Sequence, residues 1–219
     1  MSFDSETEKD QTNYFPFETC EPPEDGWIAQ PYSTAVNCLN SIIILFFLTQ
    51  TKHTYTFLFL FIIFIFEIVH TFSHIFHIDG ATQTNIIHGL AYAINAAFLY
   101  ALYRHSGIVP SLFLSILIMI FVGIDMYALF SLSTVFYIVT QFAIFLSILF
   151  FYFTTLPTKS KNSVKWLVFL GILIICLVYN EMRNCDEMAK LYPDAPFHIL
   201  VEIPGVLFFY LVCRNFYLL

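Results

Sequence analysis

The chain has 219 residues, of which 58% are apolar and only 11% charged, with 27 Phe and 13 Tyr and a mean hydropathy of +0.75. Soluble globular domains carry about 25% charged residues, so this composition excludes one. The formal charge of −7 is also unevenly placed. Residues 1–34 hold eight acids (Asp4, Glu6, Glu8, Asp10, Glu18, Glu21, Glu24, Asp25) against the single base Lys9, which leaves the remaining 185 residues neutral. A nucleic-acid binder would need a basic footprint, and the one charged run here is acidic.

Residues 1–32 contain no apolar run and no basic start. They read as an acidic luminal arm rather than a cleavable signal peptide. Residues 33–219 then break into seven apolar stretches, near 33–50, 54–77, 84–104, 108–130, 133–155, 164–180 and 196–218. Each approaches the 20 or so residues that a helix needs to cross the hydrocarbon. Gln50-Thr51-Lys52-His53, Asp79-Gly80, Arg104-His105-Ser106-Gly107 and Pro157 to Asn162 separate them with turn-forming or water-seeking residues. The runs are continuous, whereas strands of a β-barrel would alternate polar and apolar residues. The predicted fold is an all-α polytopic membrane protein, a seven-helix transmembrane bundle.

The weakest break is Ser131-Leu132-Ser133-Thr134, and six or eight spans are the alternatives there. Charge segregation favours seven. With that count, Lys52, Arg104, Lys159, Lys161, Lys165 and Arg214 fall on the side opposite the N-terminus with no acid among them. The positive-inside rule then predicts a luminal or exoplasmic N-terminus and a cytosolic C-terminus. Cys38, Cys176 and Cys213 lie in apolar runs and read as small hydrophobes. Cys20 and Cys185 both fall in extramembrane segments on the oxidising side, which allows a disulfide between the arm and the loop after span six.

Ionisable residues inside a span cost about 2.5–3.5 kcal/mol at mid-depth on insertion scales, so each needs a reason. Span two is densest: Glu67, His70 and His74 share a stripe with His77 at helical spacing, and Ser73 lies one turn before His77. His88 opens span three on the same side, and Asp194 and His198 open span seven there. Asp125 and Glu202 lie deeper. Histidine and carboxylate from three helices can thus meet at one depth, and such groups are zinc ligands. Asp194 and His198 form an i, i+4 pair able to chelate from one helix turn, with His77 as a third ligand. His53 and His105 read as interfacial. His70 and His74 read as hydrogen-bonding groups behind the ligands, Glu67 as their partner or a proton-path residue, and Asp125 as an interhelical hydrogen-bond group.

At these residues the chain resembles the alkaline ceramidase family, seven-span zinc-dependent membrane hydrolases in the wider group that includes the adiponectin receptors. Four segments carry the likeness: Cys20-Glu21 followed by Trp27 to Asn37, Ser73-His74-Ile75-Phe76-His77, Asn180 to Cys185, and Asp194-Ala195-Pro196-Phe197-His198-Ile199-Leu200. The resemblance implies a zinc bound by three histidines with a serine and an aspartate beside it. Ser73, His77 and His198 match that pattern. Asp194 stands where the family has a histidine ligand, and His88 where it has an aspartate. The expectation is a zinc held by His77, Asp194 and His198, with His88 as base or further ligand and Ser73 donating to the oxyanion.

The implied reaction is hydrolysis of ceramide or a related N-acyl lipid to a sphingoid base and a fatty acid, in the endoplasmic reticulum or Golgi membrane. The family's arm also carries calcium, which makes Glu18, Glu21, Glu24 and Asp25 candidate ligands, although Gln30 replaces a family glutamate. Two rivals stand beside this reading. One is a receptor or scaffold holding a structural zinc. The other is a proton-coupled transporter using Glu67, Asp125 and Glu202, against which stand few Gly or Pro interruptions and no internal repeat.

Overall fold

The computed structural model describes residues 20–21, 24, 26–76, 81–130, 134–192 and 195–219. Among them are seven α-helices and one short 3-10 turn: α1 (Pro31–Gln50), α2 (Thr54–Phe76), α3 (Ala81–Ser106), α4 (Leu112–Phe130), α5 (Thr134–Phe151), the turn Phe153–Thr155, α6 (Thr158–Leu191) and α7 (Ile199–Phe216). Five helices, α1, α2, α3, α6 and α7, are long and apolar enough to cross a membrane, and Leu112–Tyr127 and Phe136–Phe151 are shorter apolar helices. This is the make-up of a multi-pass membrane protein. Large apolar side chains face outward, as Leu112, Phe113, Met119 and Tyr127 do on α4, which a lipid solvent tolerates and water would not.

Helix boundaries follow the sequence signals except at α6. The expected span 164–180 is the middle of a 34-residue helix, about 50 Å long at 1.5 Å per residue. Beyond Asn180 the chain is polar but rich in helix formers (Glu181, Met182, Arg183, Glu187, Met188, Ala189, Lys190), so hydropathy ends while helical propensity continues. Cys185 therefore sits on a helix rather than in a loop. At the other end of the bundle, Gly107 closes α3 with φ 71°, its N–H donating to Tyr103 O at 2.8 Å, a left-handed cap that glycine adopts without a Cβ penalty.

The helices form a ring. α1 packs on α2 and α7, α2 on α3, α3 on α5, α5 on α6, and α6 on α7, while α4 packs on α5 from outside. One half of the ring is solid. Phe98 of α3 stacks on Phe145 with ring centroids 4.8 Å apart and meets Phe59 and Phe216 edgewise or tilted at 5.1 and 5.0 Å. Ile44, Leu60, Ile63, Leu102, Leu149 and Tyr152 fill the space around them. The other half holds a chamber. Asp125 joins α4 to its neighbours as expected, accepting hydrogen bonds from Tyr92 of α3 and, at 2.8 Å, Thr140 of α5.

The entrance to α1 is built from the acidic arm. The Glu21 carboxylate accepts the backbone N–H groups of Tyr32 at 2.8 Å and Ser33 at 3.0 Å, together with the Ser33 hydroxyl. Pro31 occupies the first turn, where it lacks an N–H to satisfy. A buried carboxylate so placed caps orphan donors and meets the positive end of the helix dipole. Cys20 and Cys185 are joined by a disulfide with Cα atoms 5.5 Å apart. Replacing Glu21 by Ala leaves those N–H groups buried without an acceptor, and the expected loss is about 2–3 kcal/mol of stability, read as a lower denaturation midpoint in detergent micelles. A midpoint unchanged from wild type would contradict the capping role.

Candidate functional site

Two helices present ionisable pairs at i, i+4 to the same space. α2 contributes His70 and His74, and the first turn of α7 contributes His198 and Glu202. That spacing stacks both members of a pair on one helix face. Glu202 is the meeting point: its Oε1 lies 2.9 Å from His198 Nε2, 3.4 Å from His74 Nε2 and 3.7 Å from His70 Nε2. Asn37 of α1 donates to the same oxygen at 3.2 Å. His74 Nε2 and His70 Nε2 are 3.1 Å apart. His74, His198 and Glu202 are buried.

The outward nitrogen of two of these rings is fixed. Gln30 donates its amide nitrogen to the Glu21 carbonyl at 2.6 Å, which turns its Oε1 toward His74 Nδ1, also at 2.6 Å. His74 therefore donates from Nδ1 and turns Nε2 toward His70 and Glu202. The Glu181 carboxylate lies 2.8 and 2.9 Å from His198 Nδ1, so that nitrogen also donates, and Glu181 Oε1 takes the Cys20 N–H at 2.8 Å. A histidine whose far nitrogen is held by a carboxylate or carbonyl is the arrangement found behind metal ligands and catalytic bases. The arm is part of the site: Ala29 and Gln30 donate backbone N–H groups to Ile75 O and His74 O at 2.9 and 3.1 Å, and Phe197 N–H to Cys20 O at 3.2 Å.

Three of these side chains could hold a metal ion: His70, His74 and Glu202 each offer one ligand atom within 4.8 Å of the others, two imidazoles and a carboxylate.

The cluster lies at one end of a chamber of about 270 Å³ inside the ring, walled by Phe66, Phe142, Phe145, Phe208 and Phe209 among others. Beside it the tip of the Phe142 ring of α5 rests on Gly171 of α6, where a Cβ would stand 2.1 Å from it. Glycine is what allows this approach.

Of the residues singled out from sequence, His198 and the stripe Glu67, His70 and His74 are brought together here. His77 and Asp194 lie outside the described residues, as do Glu18 and Asp25. Ser73 is buried, but its hydroxyl donates back to His70 O at 2.7 Å on its own helix, and it is not among the chamber's lining residues. His88 stacks on Tyr137, ring centroids 3.8 Å apart, and is not among the chamber's lining residues. Glu21 spends its carboxylate on α1, and Glu24 is exposed. Sequence reasoning assigned no role to Glu181 or Asn37 and treated Gln30 only as a lost acid. The helical spacing of Gln30, Asn37 and Asn40 on an otherwise apolar span was the available signal.

Comparison with family models, with curated proteins and with solved structures finds no match for this chain. The site is therefore read from its own chemistry. Gln30→Ala removes the acceptor on His74 Nδ1, and for a metal ion held on His74 Nε2 the expected result is affinity weakened about 10- to 100-fold in competition with a chelator. An unchanged affinity would show that His74 does not hold the ion.

Proposed function

We propose that the chain is a seven-span membrane hydrolase of the alkaline ceramidase type, with a luminal N-terminus, that cleaves the amide of ceramide or a related N-acyl lipid. The observation that carries this reading is the convergence of His70, His74, His198 and Glu202 at the head of one apolar chamber. The two shorter apolar helices complete a count of seven, and the segregation of basic residues supports the orientation.

In this reading His70 Nε2, His74 Nε2 and a Glu202 oxygen hold zinc. When bound, zinc lowers the pKa of water toward about 7 and polarises an amide carbonyl. Gln30 keeps the His74 ring in its ligating tautomer, and Asn37 steadies the Glu202 carboxylate. His198, flanked on Nδ1 by Glu181 and on Nε2 by Glu202, is the proton donor: its Nε2–H would pass to the leaving nitrogen, and the ring would regain a proton from the water consumed in the reaction. The phenylalanine wall receives the aliphatic chains and keeps bulk water from the cluster, which strengthens every polar interaction there.

The test is fatty-acid release from N-acyl lipids by the purified protein in micelles, with bound zinc measured on the same samples. Release is expected to stop with a zinc chelator and return on adding zinc. His74→Ala is expected to lose metal and release together, whereas His198→Ala keeps the metal while release falls about 100- to 10,000-fold. Release that persists in chelator overturns the metal's role, and full zinc content with no release favours a receptor or scaffold instead.

A further inference from the structure

The end of the bundle remote from the arm carries one sign of charge. Lys52, Arg104, Lys159, Lys161, Lys165 and Arg214 lie there, and no acidic side chain occurs in residues 50–66, 100–116, 150–166 or 210–219. Among the described residues the one ion pair made by a lysine or arginine is Lys190 with Glu187, at the opposite end of α6. Four of the six cations gather where α6 begins and α7 ends. Ser160 Oγ of α6 donates to the Asn215 carbonyl of α7 at 3.0 Å, and Ser163 Oγ lies 3.1 Å from Asn215 Oδ1. Arg214 therefore stands level with Lys159 and Lys161, and Lys165 follows Lys161 one turn along α6. Lys159, Lys165 and Arg214 are exposed.

Three of these cations rest on aromatic rings. Lys161 Nζ lies 5.9 Å from the centroid of Phe153, Lys165 Nζ 5.7 Å from Trp166, and the Arg214 guanidinium 5.9 Å from Tyr210. Cations with their stems on aromatic rings at the mouth of an apolar span suit the level where head groups meet hydrocarbon. Directly beyond them α6 turns Trp166, Phe169 and Ile172 outward. An anion for the cations and aliphatic chains for that outward face are the two halves of one molecule. We infer that Lys159, Lys161, Lys165 and Arg214 bind the head group of an anionic phospholipid, whose acyl chains run along the exposed side of α6. A zwitterionic head group brings its own cation into the corner, so the selection is by net charge. A nucleic acid or acidic peptide would answer the charge and leave the apolar face uncovered. The inference is independent of the proposed function, for it needs neither a metal at the histidine cluster nor any turnover.

The chain has two tryptophans, Trp27 and Trp166, so Trp27→Phe leaves a single fluorophore at this corner. The full chain carrying that change is placed in vesicles of equal phosphatidylglycerol and phosphatidylcholine, with one lipid or the other brominated on its chains. Quenching of Trp166 is expected to give phosphatidylglycerol about a tenfold higher association constant than phosphatidylcholine. Replacing Lys159, Lys161, Lys165 and Arg214 together by Gln is expected to bring that ratio to about one, whereas Arg183→Gln with Lys190→Gln leaves it unchanged. Raising the salt from about 0.1 to about 1 M, which shortens the screening length from about 10 to about 3 Å, is expected to abolish most of the preference. Equal quenching by the two lipids overturns the proposal, as does a preference that survives the four-residue substitution. Loss of the preference on adding glycerol 3-phosphate makes the occupant a soluble anion and overturns the lipid assignment. Where the four-residue variant does not fold, the salt series decides, since a preference undiminished at about 1 M is not held by these charges.

Discussion

A carboxylate carried into the interior of an apolar bundle must be met by groups on other helices, since neither lipid nor an aliphatic core can solvate it. Glu202 imposes that requirement here. Its Oε1 gathers His70 and His74 from α2, His198 from its own first turn, and Asn37 from α1, and so sets the rotation of α1, α2 and α7 about their axes. The partners then need partners. His198 draws in Glu181 from the extended end of α6, and His74 draws in Gln30, whose amide reaches back to Glu21. One buried charge thus organises four helices and the arm. The apolar half of the ring, where Phe59, Phe98, Phe145 and Phe216 interlock, supplies rigidity without direction.

How much of this was legible in the sequence differs by level. Span positions followed from hydropathy, because a run of apolar residues bounded by turn formers has few other ways to exist near a membrane. The inward face of α2 was legible too, since Glu67, His70 and His74 recur at helical spacing. Asp125 was rightly read as a bond between helices. The cysteine pairing was legible as an allowed one.

What sequence could not rank was register. Asp194 to His198 and His198 to Glu202 have the same i, i+4 spacing, and so do His70 to His74 and Ser73 to His77. Choosing among them requires knowing which way each helix is turned, and that depends on packing against neighbours distant in the chain. Glu181 was hidden for a different reason. Hydropathy ends span six near Asn180, and a polar residue past that limit looks like loop, whereas the helix carries on and brings its carboxylate to His198. Glu21 illustrates the same limit, for in a list of acids it is one of eight, and only the fold distinguishes the one that caps a helix.

The ring is closed by α1 against α7, the first and last helices described, and the cluster spans that seam. Asn37 reaches Glu202 across 165 positions of chain, and Cys20 reaches Cys185 across another 165. A chain that stops before α7 would therefore lack Glu202, the carboxylate toward which Asn37 of α1 and the histidines of α2 are turned, so the centre is complete only once the last described helix has joined the first.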